Sequence, residues 1–204
     1  MKRNLAVVFI LAAVFGLSLF SSPAQADPIT TYLTICNEDL GLTGDFATVT
    51  VAITDPNKVQ FTVDANDALL GGGNNFGIQR FGFNSTLDLS DAIFTLPDGW
   101  GSDFNDNISE FGIFYADESG TGKTRQDPLI FTLEWEGISD ETQFYVANAD
   151  GYHYVAHIAG FAAQNGLTSA YFSDSAAPVP EPATLLLLGS GLLGLAGFRK
   201  KMKR

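Results

Sequence analysis

Positive charge is scarce in the interior of this 204-residue chain. Seven of its eleven Lys and Arg fall in the first three and last six residues. Between Asp27 and Val179 only Lys58, Arg80, Lys123 and Arg125 remain, against 22 Asp and Glu, a net charge of −18. Nucleic-acid binding needs Lys and Arg to displace phosphate counterions, so no nucleic-acid partner is expected. An acidic body of this kind suits solubility in a crowded exterior, or contact with divalent cations. Cysteine is limited to Cys36. The body therefore has no internal disulfide and must hold together through its core. The lone thiol is expected in a buried strand position. Catalytic signatures are missing as well. There is no Gly-x-Ser-x-Gly, and Gly71-Gly72-Gly73 has neither the lysine nor the strand–helix setting of a phosphate loop.

The termini carry what the middle lacks. Met1 to Asn4 is short and basic, Leu5 to Phe20 is an apolar run of 16 residues, and Ser21-Ser22-Pro23 breaks it. Ala24-Gln25-Ala26 then has the small-x-small form that signal peptidase accepts. This predicts a secretory signal peptide over residues 1–26, cut after Ala26, with Ala24 and Ala26 as the cleavage-site residues. At the other end, residues 174–179 read as a small, polar linker, followed by Pro180-Glu181-Pro182, whose prolines keep the backbone extended. Ala183 to Phe198 is then apolar over 16 residues. As a helix it would reach about 24 Å, short of a bilayer core of about 30 Å. A single transmembrane helix over 183–198 is still expected. The basic tail 199–204, with five positive charges, would hold its end in the cytoplasm. Both termini thus predict a body outside the cytoplasm and a temporary inner-membrane anchor.

The order Val179-Pro180-Glu181-Pro182-Ala183-Thr184, a Leu/Gly-rich run and Phe198-Arg199-Lys200-Lys201 resembles the PEP-CTERM sorting signal. The resemblance covers the last 26 residues or so and leaves the body unassigned. It implies an exported protein of a Gram-negative bacterium that makes exopolysaccharide. It also implies an exosortase that recognises Pro180, Glu181 and Pro182. The implied partners are that exosortase and extracellular polysaccharide, besides signal peptidase and, transiently, the inner membrane. The implied destination is the cell surface or extracellular matrix.

Residues 27–173 read as one all-β domain. Thr48 to Ile53 alternates, Asp55-Pro56-Asn57 turns, and Lys58 to Val63 alternates again, which predicts a hairpin with Val49, Val51, Ile53, Val59, Phe61 and Val63 facing one side. Further strands are expected near 31–36, 76–83, 92–96, 110–115, 129–135, 143–147, 152–158 and 168–172. Clusters of Gly, Asn and Asp separate them, as at 71–75, 117–122 and 148–151. No amphipathic helix of twelve residues stands out. Many short strands with turn signals predict a two-sheet, jelly-roll-like β-sandwich.

Four clusters could carry chemistry. His153 and His157 are four apart, but in an alternating stretch they lie roughly 13 Å apart along a strand. That is too far for one zinc ion, whose bonds to nitrogen are about 2.0–2.1 Å. Glu134-Trp135-Glu136 puts two carboxylates on one strand face about 6.6–7 Å apart, the range of a glycosidase pair. The plainer reading puts both on the solvent side, with Leu129, Phe131, Leu133 and Trp135 inward. Asp98, Asp103, Asn105 and Asn107 form an oxygen-rich stretch, a candidate calcium loop. It is not an EF-hand, because Ile108 occupies the glycine position. Trp100 and Trp135 could serve as sugar platforms. The sequence thus favours an exported, non-enzymatic surface or matrix protein without a cofactor other than that candidate calcium. The alternatives are a secreted carbohydrate-binding module, or a glycoside hydrolase using Glu134 and Glu136.

Overall fold

Period-two alternation of short β-branched and aromatic segments produces two packed antiparallel sheets. The computed structural model describes residues 27–174, and the expected signal peptide, Pro180-Glu181-Pro182 motif and membrane helix fall outside them. The five-stranded sheet runs β1 (Ile29–Leu33), β3 (Ala47–Asp55), β4 (Lys58–Ala65), β9 (Leu129–Glu134) and β6 (Ile93–Thr95). The six-stranded sheet runs β2 (Ile35–Cys36), β11 (Leu167–Ser173), β10 (Tyr154–Gln164), β5 (Gly72–Phe83), β8 (Ile113–Ser119) and β7 (Gly101–Asn107). Only β3–β4, β7–β8 and β10–β11 connect within a sheet; every other connection between consecutive strands crosses to the opposite one. Among the described residues no helix is long and apolar enough to cross a membrane.

The β3–β4 hairpin forms as the alternation requires. Val49 pairs with Val63, Val51 with Phe61 and Ile53 with Val59. Directly paired residues share a face, so these six point together into the sandwich. Pro56 and Asn57 occupy the turn; proline presets its own φ, and Asn57 takes a left-handed φ of 62°. In β9, Leu129, Phe131 and Leu133 are buried. The interior is an aromatic cluster built on Phe61, whose ring lies 4.8 Å from Phe131 and 4.6 Å from Phe83 and meets Phe144 edge-on at 5.5 Å. Each fully buried Phe contributes about 1.5–3 kcal/mol, enough for such a cluster to dominate stability.

Register also fixes what faces outward on this sheet. One row across the strands is Thr30, Thr50, Thr62 and Ile130; the next is Ala52, Gln60, Thr132 and Thr95. Beyond them lie Tyr32, Thr48 and Asp64 on one side, and Lys58, Glu134 and Ile93 on the other.

The six-stranded sheet departs from the sequence expectation in several places. Residues 71–75 were expected as a turn, yet β5 begins at Gly72. Its glycines admit close backbone approach: a Cβ on Gly73 would stand 2.8 Å from the Gly160 carbonyl oxygen. Residues 98–107 were expected as a loop, but Gly101–Asn107 is strand β7, paired along β8. Pairing with β8 satisfies its backbone in spite of a composition that reads as a turn. Residues 110–115 split into a 3-10 turn at Ser109–Phe111 and β8, which continues to Ser119. The strand expected at 143–147 is absent; Glu141–Phe144 is a 3-10 turn. Asp140 caps it, accepting from the Thr142 N–H at 2.8 Å, while the Gln143 side chain accepts from the Asp140 N–H at 3.1 Å. The stretch 31–36 divides at Thr34 between the two sheets. A one-turn helix, α1 (Asp67–Leu70), is capped by the Asn66 side chain, which accepts from the Leu69 N–H at 3.0 Å.

Candidate functional site

A cleft forms where β9 runs out beside the β3–β4 turn. The Trp135 N–H donates to the Asn57 carbonyl at 2.9 Å, and the Gly137 N–H donates to the Asn57 side-chain oxygen at 3.3 Å. These bonds turn the chain after Glu134 and leave Trp135 at the rim, half-buried against the core. Asn57, Asp91, Ile93, Glu134, Trp135 and Glu136 line a cleft of about 340 Å³. A second hollow of about 430 Å³ lies on the other side of Asn57, walled by Ile53, Pro56 and Ile138. Both volumes fall within the range of small-ligand sites. One indole, three carboxylates and a primary amide can meet a polyhydroxylated ring: its C–H face on the indole, its hydroxyls on the oxygens and amide.

Glu134 is the outward residue the alternation predicts. Its carboxylate is 57% exposed and 3.6 Å from the Lys58 ammonium. Glu136 lies beyond the end of β9, outside the regular strand that the two-carboxylate spacing assumed. The two tryptophans occupy separate places. The Trp100 indole N–H donates to the Thr124 carbonyl at 2.7 Å, and its ring packs where a Cβ on Gly120 would stand, so it closes the turn after β8. Only Trp135 lines the cleft.

The calcium-candidate residues lie on or just before β7 rather than in a loop. Asp103 stands opposite Asp117, and its side chain accepts from the Phe104 N–H at 2.8 Å. Asn105 has a left-handed φ of 58°. The nearby acids gather around Arg80: its guanidinium makes bonds of 2.8–3.0 Å to Asp117 and a further ion pair with Asp106. The bonds to Asp117 hold Arg80 firmly protonated. Among the described residues, no group of three or more His, Cys, Asp and Glu is placed to hold a metal ion.

The histidines have different partners. His153 Nδ1 is 2.6 Å from Asp174, and its ring stacks on Tyr145 at 3.9 Å. Asp174 also accepts from the His153 and Tyr154 backbone N–H groups at 2.9 and 3.1 Å. His157 stacks on Tyr171 at 4.4 Å, and burial, with Arg125 and Arg80 nearby, lowers its pKa to about 4. Cys36 lies in β2 as a free, half-buried thiol, and burial raises its pKa.

Two groups escaped the sequence reading. Asp91 and Ile93 reach the cleft only because β6 pairs with the end of β9, a long-range contact with no local signal. Glu118 lies directly opposite Phe81, whose ring is in the aromatic core, so its side chain points inward. It is fully buried, and burial, with the Asp117 carboxylate nearby, raises its pKa to about 9. The regular alternation of Ala116, Asp117 and Glu118 against β5 was the only hint available.

The fold and its flanking segments define a β-rich body followed closely by a separate C-terminal signal. Residues 178–201 match the family model of the PEP-CTERM protein-sorting motif, starting four positions after Asp174. The chain thus carries a sorting signal that implies recognition by an exosortase, export, and sorting to the cell envelope or surface. No curated protein matches the chain, and no solved structure does.

Proposed function

We propose that this chain is an exported, non-enzymatic, jelly-roll-like β-sandwich of the cell surface or extracellular matrix, released from a transient inner-membrane anchor by an exosortase and associated with exopolysaccharide. The order of parts carries the reading: a body that closes on itself at Asp174, then the sorting motif from residue 178. Replacing Pro180, Glu181 and Pro182 with alanines should trap full-length protein in the inner membrane while the body is still exported. Deleting residues 183–204 should release the body, unsorted. An alanine variant that reaches the surface at the wild-type level, with its tail removed, would mean that the tail is a plain anchor. No cofactor is part of this reading. A calcium ion held by Asp98, Asp103, Asn105 and Asn107 would raise the melting temperature by mass action, and an unchanged melting curve at millimolar calcium would leave these residues as a solvated acidic surface.

The cleft favours a second reading, that the body itself binds carbohydrate. Trp135, Asn57 and the carboxylates around them supply an aromatic platform and hydrogen-bond partners in one concavity. The exposed, Lys58-paired Glu134 suits hydroxyl recognition better than the proton donation a hydrolase requires. A glycan array with wild type and Trp135→Ala tests this: the variant should lose the glycans that wild type retains. Release of reducing sugar, abolished by Glu134→Gln, would instead establish a hydrolase.

A further inference from the structure

The outer face of the five-stranded sheet differs from the rest of the body in charge. The body carries −18 overall. Yet the two middle rows on this face, eight residues across five strands, hold no charged side chain. Charges appear only at the margins, as Asp64 on one side and the Lys58–Glu134 pair on the other. We propose that this face is the docking surface for an uncharged, extended polysaccharide strand, which continues into the Trp135 cleft. This rests on the carbohydrate-binding reading and adds to it both the surface used and the charge class of the glycan.

Charge selects the partner first. A polyanionic glycan would find no cation in these two rows and would meet repulsion from the surrounding carboxylates. A neutral glycan avoids that repulsion.

The chemistry of the rows then favours sugar over protein. Thr30, Thr50, Thr62, Thr95 and Thr132 each present a hydroxyl that donates and accepts, beside a methyl group. Neighbouring strands place them about 4.8 Å apart, and alternate residues about 6.6–7 Å apart. That grid is on the scale of a pyranose ring. Threonine is stiff at χ1, so ordering these hydroxyls on a ligand loses little rotamer freedom. A protein partner would be favoured by a clustered core of aromatic, Met or Arg anchors. Here the exposed large apolar side chains, Tyr32, Ile130 and Ile93, stand singly in different rows. Finally, Ile93 and Glu134 belong both to the marginal row and to the cleft wall, so face and cleft are continuous.

The test uses the full-length chain in detergent. Co-sedimentation and affinity electrophoresis are run against cellulose, mannan and dextran as neutral glycans, and alginate as an acidic one. Retention by a neutral glycan is expected, unchanged between low and high salt, with none by alginate. Thr62→Val and Thr132→Val keep the strand shape and remove hydroxyls; each should weaken retention about fivefold. Thr132→Ser should restore it, and melting curves confirm that each variant is folded. Preferential binding of alginate overturns the proposal. So does neutral binding that survives both valine variants but is lost in Trp135→Ala, which would confine the glycan to the cleft and leave the carbohydrate-binding reading standing. Retention of no neutral glycan overturns both.

Discussion

The two sheets contain similar residue types but use them differently. In the five-stranded sheet, inward and outward positions alternate with one register shift, between Ile53 and Asp55 at the β3–β4 turn, and the interior side is Val, Leu, Ile, Ala and Phe apart from Thr31 on the edge strand. The six-stranded sheet carries register shifts in β10, a second small core of Ile108, Phe111, Phe114 and Val155, an inward carboxyl at Glu118, and the pair of half-buried Arg80 with buried Asp117. A Cβ on Gly82 would stand 2.9 Å from Val155 and 3.1 Å from Phe114, so this second cluster presses directly on the β5 backbone. The five-stranded sheet is therefore held chiefly by apolar area, while the other also carries inward or buried charged groups, of which a paired one is costly to strand.

That contrast can be broken from either side. Phe61→Ala deletes the ring on which four other phenylalanines converge and should cost about 3–5 kcal/mol in urea unfolding. Arg80→Ala leaves Asp117, whose side chain is 4% exposed, without its cation. A loss of about 3 kcal/mol is expected, largely recovered in Arg80→Ala/Asp117→Asn, because the penalty lies in the stranded charge. A double-mutant cycle measures this directly.

Glu118 should behave in the opposite way. Burial pushes its pKa up to about 9 when folded, from the 4.5 of an ordinary glutamate. Folding therefore takes up a proton between those values, and stability falls as pH rises through that window. Glu118→Met should remove this slope and stabilise the protein at pH 8 by about 1–3 kcal/mol. His157 has the reverse sign. Its folded pKa of about 4 lies below 6.5, so stability is lost as pH falls from 6.5 towards 4, and His157→Gln should flatten that limb of the Tm–pH profile. The smallest effect belongs to the outer face of the five-stranded sheet, where Thr132→Val should stay within about 0.5 kcal/mol of wild type.

The same contrast explains how much of the molecule was legible in its sequence. The β3–β4 hairpin, its turn and the inward face of β9 could be read directly because one side is core and the other solvent, and period two then carries the whole signal. The sheet with polar groups on both sides blurs that signal. Strand β7, written Gly-Ser-Asp-Phe-Asn-Asp-Asn, has a turn composition and is a strand because β8 lies beside it. The cleft was half legible. Glu134, Trp135 and Glu136 stood out as a triplet, whereas Asp91, Ile93 and Asn57 join them only through tertiary pairing. The sorting motif was fully legible because it is a local, linear signal that needs no partner strand.

Asp174 is the last described residue and lies four positions before the sorting motif, which matters if the chain beyond it is pulled. A protein held by its C-terminal side while its surroundings move experiences tension that enters the fold at this residue. The first bonds to resist are the three that Asp174 makes to His153 and Tyr154. Just behind them, the Ser173 hydroxyl donates to the Tyr154 carbonyl at 2.6 Å. These contacts join the last strand to the start of β10, a central strand of its sheet, so force is passed to the interior before the β10–β11 ladder can unzip. Under the proposed anchoring and release, this clasp would act as a strain relief, taking up traction at the start of β10.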